Sequence, residues 1–205
     1  MTFLGNDEKQ RLRDRIEKAE HGTSGELVTV IARTSDSYVF IPLLWASVLA
    51  LSVPPLSGLA GLRLDLATLS GVQLVTFLAL SFAFRWTPVK MRLIPKRVKR
   101  QRAARTAREQ FLAQRVHHTA GRSGVLIFVS VAERYVEILA DQAINEKVAQ
   151  EDWDGIVAAF VAAVKRGEVA AGFEQAVDAC GALLATHFPA GPGGRNELPD
   201  HLIEI

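Results

Sequence analysis

Two stretches decide the architecture of this 205-residue chain: VFIPLLWASVLALSV, Val39 to Val53, and LATLSGVQLVTFLALSFAF, Leu66 to Phe84. No Asp, Glu, Lys or Arg occurs between Asp36 and Arg63, and the second stretch holds ten Leu, Val or Phe residues. A helix from Ser37 to Val53 would be about 25 Å long at roughly 1.5 Å per residue, against roughly 30 Å for a bilayer's hydrocarbon core. Two such stretches joined by a short loop predict a membrane hairpin.

The first stretch is followed by Pro54 and Pro55, and proline ends a helix because it lacks the N–H and clashes with the preceding turn. Since this segment is short, a re-entrant loop is an alternative to a full crossing. Two helices buried in a soluble core are a second alternative, but a 205-residue domain could hardly cover helices that are apolar all round. The sequence therefore favours an integral membrane protein with its hairpin at residues 37–88.

Basic residues are concentrated directly after the second stretch. Ten Lys or Arg and no acid occur from Arg85 to Arg108, whereas the loop between the stretches contains only Arg63 and Asp65. Since cytoplasmic flanks collect Lys and Arg, we expect a two-pass protein of the inner (cytoplasmic) membrane, with both termini and the soluble domain in the cytoplasm. The side chains expected to face anionic lipid head groups are Lys90, Arg92, Lys96, Arg97, Lys99, Arg100 and Arg102. Because topology explains this cluster, no nucleic acid partner is expected.

The sequence on either side of the hairpin predicts a soluble α/β domain. Apolar and β-branched runs predict strands at Glu26–Arg33, Val125–Val131 and Tyr135–Ala140. Helices are expected at about residues 6–20, 96–117, 152–166 and 170–187. Without residues 37–88, a helix connects the first two strands, which favours a parallel pair. The three-residue link before Tyr135 makes the last two strands an antiparallel hairpin.

The expected fold class is α/β, with a small mixed β-sheet sandwiched by helices and interrupted by a two-helix transmembrane hairpin. Residues 1–36 would form the first part of this domain, and residues 37–88 the hairpin. Residues 89–189 would contain the basic juxtamembrane helix and the rest of the domain. Residues 190–205 contain Pro and Gly and predict a flexible C-terminal tail. The single cysteine, Cys180, excludes an intrachain disulfide and lies on an apolar helix face, so we expect it in the core.

Three segments resemble the TPM domain family, which includes bacterial predicted membrane proteins of unknown function. They are TSGELVTVIA from Thr23, GVLIFVSVAERYVEILAD from Gly124 and KRGEVAAGFEQAVDA from Lys165. The resemblance covers roughly residues 7–33 and 108–187 and implies an α/β sandwich with a central sheet. In place of the family's glycine-rich turn after the third strand, this chain reads LADQAINEKV, Leu139 to Val148. Acid phosphatase activity and divalent-metal binding have been attributed to some plant members, and the resemblance does not transfer them here.

Three acids lie within or at the ends of the expected strands: Glu26, Glu137 and Asp141. Carboxylate oxygens are the ligands that Ca²⁺ and Mg²⁺ prefer, so these residues are the candidate metal ligands. They are also candidates for acid-type phosphate hydrolysis. The alternative is that each is a solvent-facing or capping carboxylate. Catalytic residues are not identified, and neither a phosphate-cradling glycine loop nor a G-x-S-x-G motif points to another cofactor.

Three functions are compatible with these features. The first is a membrane-tethered module without catalysis, which binds a membrane-protein partner and assists assembly or maintenance of a membrane complex. The second is a membrane-bound, acid-phosphatase-like hydrolase that uses the strand-end carboxylates, with or without a metal. This hydrolase requires the three carboxyl groups to converge. The third is a sensor of anionic lipid or envelope stress that uses the basic juxtamembrane helix.

Overall fold

The computed structural model describes residues 3–191 and 197–205. The described residues form two compact units, one of Met1–Ser35 with Ala103–Ile205 and one of Asp36–Arg102. We call the first the sandwich unit and the second the hairpin unit. In chain order the elements are α1 (Asn6–Glu20), β1 (Glu26–Ala32), α2 (Phe40–Leu51), α3 (Val53–Leu59), α4 (Leu66–Ala83), α5 (Thr87–Leu93), α6 (Lys96–Ala113), a 3₁₀ turn (Val116–His118), β2 (Gly124–Ser130), β3 (Tyr135–Ala140), α7 (Gln142–Asn145), α8 (Gln150–Lys165), α9 (Val169–His187) and β4 (Ile203–Glu204).

The sheet has the order β3-β2-β1-β4 and is mixed, as the sequence predicts. β1 and β2 are parallel, in a register that runs from Glu26 opposite Gly124 to Ala32 opposite Ser130. β2 and β3 are antiparallel and joined by a tight turn. All residues of β1 and β2 are buried, which explains why both read as continuous apolar runs rather than alternating ones.

Helices cover both faces of this sheet. One face carries Leu27, Ile31 and Ile127 in a core shared with α1, α8 and α9, where the Phe160 and Phe173 rings meet edge to face at 5.0 Å. Cys180 lies in this core, fully buried, and burial raises the pKa of its thiol to about 12. The opposite face packs strand side chains against Ala107 and Phe111 of α6 and against the 3₁₀ turn. The predicted α/β sandwich is confirmed.

The C-terminal segment departs from the flexible tail that we expected at residues 190–205. Ile203–Glu204 forms β4, parallel to β1, with Arg33 N donating to Ile205 O at 2.8 Å and Ile205 N donating to Ile31 O at 2.9 Å. Leu202 is also buried. The pairing occurs because the free edge of β1 offers backbone donors and acceptors that need partners. Residues 192–196 of the expected tail lie outside the described residues.

The hairpin unit contains the two apolar stretches as helices that pack against each other, α2 against α4. α2 ends at Leu51, just before Pro54 and Pro55, and the two prolines occupy the first turn of α3, where proline is tolerated, so the apolar segment continues as a second helix. Phe40–Leu59 therefore provides 20 residues and Leu66–Ala83 provides 18, each long and apolar enough to cross a membrane by length and composition. Asp65 caps the second helix by accepting from the backbone N–H groups of Ala67 and Thr68.

Candidate functional site

The three candidate metal ligands occupy different environments in the sandwich unit. Glu26 is the first residue of β1, 7% exposed, and accepts from the backbone N–H groups of Glu197 at 3.2 Å and Leu198 at 3.3 Å. Glu137 lies in the middle of β3, opposite Phe128, and burial raises its pKa. Asp141 follows β3 and caps α7 by accepting from the N–H of Gln142 at 2.7 Å.

These three carboxylates do not converge. Glu26 and Asp141 both flank Gly124, at the same end of the sheet, so two strand spacings of about 4.8 Å each separate their backbones. Glu137 is four residues from Asp141 along the strand direction, or about 13 Å. Among residues 3–191 and 197–205, no group of three or more His, Cys, Asp or Glu side chains is arranged to hold a metal.

A different group of acids surrounds Glu26. Glu20, at the end of α1, accepts from the N–H of Leu27 at 2.8 Å and shares a side-chain hydrogen bond with Asp200. Burial, together with the nearby charges of Glu26 and Asp200, raises the pKa of Glu20 to about 8. Burial likewise raises the pKa of Glu26, against the lowering effect of its two backbone donors. This arrangement retains a proton on Glu20 at neutral pH, which ties α1 and the C-terminal segment to the start of β1.

The opposite end of the sheet carries a hydrogen-bonded network that the sequence analysis missed. Ser130, the last residue of β2, is fully buried and donates to Glu133, while Ser35 Oγ donates to Ser130 Oγ at 2.8 Å. Glu133 also accepts from the Thr34 hydroxyl and the Ser35 N–H, both at 3.1 Å. The network therefore fastens the exit of β1 to the β2–β3 turn. The sequence did contain a signal for this network, because polar residues directly follow two strands predicted to be parallel. The carboxyl ends of parallel strands lie at the same edge of a sheet, so such residues are brought close together.

A cavity of about 470 Å³ lies beside this network, between the β2–β3 hairpin and the α8–α9 connection. We call it the strand-end groove. Its walls are mainly aliphatic, with Val129, Val136 and Val164 among them, and it is lined by two cations, Arg134 and Lys165. Neither cation forms an ion pair with a described residue, and none of the lining residues is acidic. The groove therefore combines two cations that form no ion pair with a described residue and walls that are mainly apolar.

The turn at the rim of the strand-end groove depends on an uncommon backbone conformation. Arg134 has a φ of 53°, in the left-handed region that non-glycine residues seldom occupy. Its N–H donates to Val131 O at 3.2 Å, which closes the turn between β2 and β3. The position of the Arg134 side chain is therefore a consequence of a tight turn rather than of a mobile loop.

The seven basic residues expected to face lipid are on α5 and the first half of α6. Three of them make contacts within the hairpin unit: Lys90 Nζ donates to Ser37 O at 3.0 Å, Lys99 Nζ donates to Met91 O at 3.0 Å, and Arg102 pairs with Asp36 at 3.2 Å. The remaining four are exposed: Arg92, Lys96, Arg97 and Arg100.

Apolar exposure in the described residues is concentrated in the hairpin unit. All the exposed large hydrophobic side chains lie between Val39 and Trp86, except Leu112, Val131 and Ile205. No residue of α4 is buried. Soluble proteins rarely expose a contiguous apolar surface of this extent, so this surface needs a partner, either lipid or protein.

Comparisons with known proteins agree with this architecture. The sequence model of one protein family, described as the TPM domain, matches residues 91–183. The chain is also similar to the NMR structure of BA42 protein from the psychrophilic bacterium Bizionia argentinensis, with a TM-score of 0.63 and 20% sequence identity. That similarity covers 100% of this chain and 97% of the other, and at this identity it shows the fold alone. No curated protein matches the chain.

Proposed function

Since residues 91–183 match the model of the TPM domain family, we propose that this chain is a membrane-anchored binding module that assists assembly or maintenance of a membrane complex. The hairpin unit crosses the bilayer twice, and the sandwich unit is assembled on the cytoplasmic side from the segments before and after it. A membrane-protein partner binds at the strand-end groove.

The exposure of α4 is the observation that carries the anchoring part of this proposal. Its 18 residues, Leu66–Ala83, are apolar on all sides and none is buried. An amphipathic helix of a soluble domain would instead bury one stripe, as α8 does with Trp153, Ile156 and Phe160. A helix without a buried stripe is stable where the sides that do not contact a neighbouring helix, here α2, are surrounded by hydrocarbon.

The cytoplasmic orientation is supported by the asymmetry of charge. The segment after α4 carries ten basic residues up to Arg108, and the loop before α4 carries Arg63 and Asp65 only. Because the hairpin returns the chain to the side from which it came, β1 and β2 lie in one compartment. β1 and β2 pair along seven residues each, and this pairing requires both strands to be on the same side of the membrane.

The strand-end groove supports the binding part of the proposal. Two cations without acidic partners in the described residues favour an anionic ligand, and the valine walls favour an aliphatic group beside it. A peptide segment of the partner that presents a carboxylate next to an aliphatic side chain has both features. The hydrolase alternative needs Glu26, Glu137 and Asp141 to converge, so the described geometry supports binding better than hydrolysis.

Anchoring is tested by placing a charge at the middle of α4. Val75 is 66% exposed, and Arg at the centre of a transmembrane helix costs about 2.5–3.5 kcal/mol. We expect Val75→Arg to leave the membrane fraction after an alkaline wash, while the wild type stays in it. Ala158→Arg, at an exposed site of α8, is the matched control and should behave as the wild type. A Val75→Arg protein that resists the wash as the wild type does would overturn the anchoring proposal.

The binding role is tested by affinity purification from native membranes in mild detergent. We expect the Arg134→Gln/Lys165→Gln variant to lose a membrane protein that the wild type retains, because the groove then lacks both cations. The control, Arg13→Gln/Lys18→Gln, removes the same charge from exposed positions of α1 and should retain that protein. Equal recovery with all three proteins would show that the groove is not the docking site.

A further inference from the structure

The hairpin unit contains a second cavity, of about 600 Å³, at the basic end of its helices. The lining residues before and at the start of α2 include Ser37, Val39 and Leu43. Those at and after the end of α4 include Phe82, Arg85 and Lys90. We call it the basal cavity. Because the start of one helix and the end of the next both line it, it lies at the face of the hairpin from which the chain enters and leaves. In the proposed orientation this is the cytoplasmic interface, where lipid phosphates are found.

The charges of the basal cavity are positive, and one of them is held by a hydrogen bond. Lys90 Nζ donates to Ser37 O at 3.0 Å, which holds the ammonium against the cavity wall. Arg85 makes no ion pair with any described residue, and no Asp or Glu lines the cavity. The acid that is nearest in sequence to this wall, Asp36, is paired with Arg102 at 3.2 Å. Both cations are therefore available to an anion, and the guanidinium can bind a phosphate through two parallel hydrogen bonds.

The apolar part of the basal cavity identifies the kind of phosphate. Val39, Leu43 and Phe82 are 60%, 40% and 73% exposed, so the cavity wall continues directly into the lipid-facing surface of the hairpin. A free phosphate would leave this wall uncovered. A phospholipid would place its phosphate at the cations and its glycerol and upper acyl chains on the wall, in a cavity of ordinary ligand size.

We propose that the basal cavity binds one anionic phospholipid, with its phosphate held by Arg85 and Lys90 and its upper acyl chain packed on Leu43 and Phe82. This inference rests on the proposed membrane anchoring and adds a defined site to it. The site differs from the general attraction between a basic segment and an anionic surface, because it holds one lipid by two particular side chains and an apolar wall.

The experiment measures phospholipid that remains bound after purification in mild detergent, by native mass spectrometry. We expect the wild type to retain one anionic phospholipid and Arg85→Gln/Lys90→Gln to retain it about thirtyfold less, because two basic contacts near the membrane surface are removed. The comparison variant, Arg13→Gln/Lys18→Gln, loses the same charge at exposed positions of α1 and should retain the lipid. Equal losses in the two variants, no loss in either, or no lipid on the wild type would overturn the proposal.

Further measurements separate loss of the lipid site from loss of membrane anchoring, and a lipid site from a simple anion site. An alkaline wash of the same membranes reports anchoring separately, so a variant that stays in the membrane but loses its lipid affects only the site. If the Arg85→Gln/Lys90→Gln protein cannot be purified, the Leu43→Trp variant tests the site instead. The larger side chain fills the space beside the apolar wall of the cavity and leaves both cations in place, so we expect it to reduce the amount of bound phospholipid. Inorganic phosphate should not displace the bound lipid from the wild type; displacement would indicate a simple anion site and contradict the proposal.

Discussion

The sandwich unit and the hairpin unit both contain continuous apolar runs but place them in opposite surroundings. In the sandwich unit, β1 and β2 are buried at every position and are covered by helices on both faces. In the hairpin unit, α4 is buried at none of its 18 positions. Apolar content therefore does not reveal where a segment lies; the arrangement of its neighbours does. A strand covered on both sides and a helix surrounded by lipid both read as continuous apolar runs, and length distinguishes them.

The strongest test of this contrast is the same substitution made in each unit. Leu126 is fully buried on β2, and Leu78 is 57% exposed on α4. We expect Leu126→Ala to lower the free energy of unfolding of the sandwich unit by about 2–5 kcal/mol, because it leaves a cavity in a packed core. Leu78→Ala should change it by less than about 0.5 kcal/mol. Denaturant unfolding of the protein in detergent, followed by tryptophan fluorescence, measures both, and equal effects would contradict the contrast.

A smaller effect is expected from Gly→Ala substitutions in the two units. A Cβ at Gly181 of α9 would lie 2.7 Å from the Ala19 Cβ of α1, whereas a Cβ at Gly71 of α4 would meet nothing within 4 Å. We expect Gly181→Ala to destabilise the sandwich unit by about 1–3 kcal/mol, because the two helices must move apart. Gly71→Ala should be tolerated. A lower thermal unfolding midpoint for the Gly181 variant alone is the expected observation, and an unchanged midpoint would show that α1 shifts at no cost.

Local patterns predicted most of the fold. The order of strands and helices, the parallel β1–β2 pair and the antiparallel β2–β3 pair follow from apolar runs, connection lengths and the helical crossover between the first two strands. The end of α6 was misplaced, because the helix ends at Ala113 and Arg115 adopts a left-handed conformation, with a φ of 57°, which apolar spacing does not reveal. The 3₁₀ turn that follows brings Val116 close to Gly124, where a Cβ would lie 2.2 Å from Val116 O.

Contacts between distant segments could not be predicted in the same way. β4 has two residues, and only its position beside β1 makes it a strand. The groove cations, Arg134 and Lys165, were visible in sequence, but their shared cavity depends on how α8 crosses the β2–β3 hairpin. The metal-site prediction for Glu26, Glu137 and Asp141 grouped these acids by type and by their position on strands, whereas the distances between them are set by strand pairing and by the spacing of residues along the sheet.

The proton on Glu20 tests how the sandwich unit tolerates a buried acid. Its pKa is raised from 4.5 to about 8 in the folded chain, mainly by burial. The folded state therefore binds this proton more tightly than the unfolded state. The contribution of this proton to the free energy of unfolding is fully present below about pH 4.5 and is lost as the pH rises through about 8. Glu20→Gln keeps the acceptor for the Leu27 N–H but removes the titration.

We therefore expect the unfolding free energy of the wild type, measured relative to Glu20→Gln, to fall between about pH 5 and pH 8 and then to level off. Asp200→Asn should move this fall to lower pH, because the Asp200 charge helps to raise the pKa of Glu20. Glu17→Gln, at an exposed site of the same helix, controls for the change of charge. A constant difference between wild type and Glu20→Gln across this range would mean that Glu20 is ionised in the folded chain. The sandwich unit would then hold a buried negative charge beside Glu26 and Asp200, and α1 would still be joined to β1 by the hydrogen bond from the Leu27 N–H to Glu20, whereas Glu20 and Asp200 would no longer share a proton.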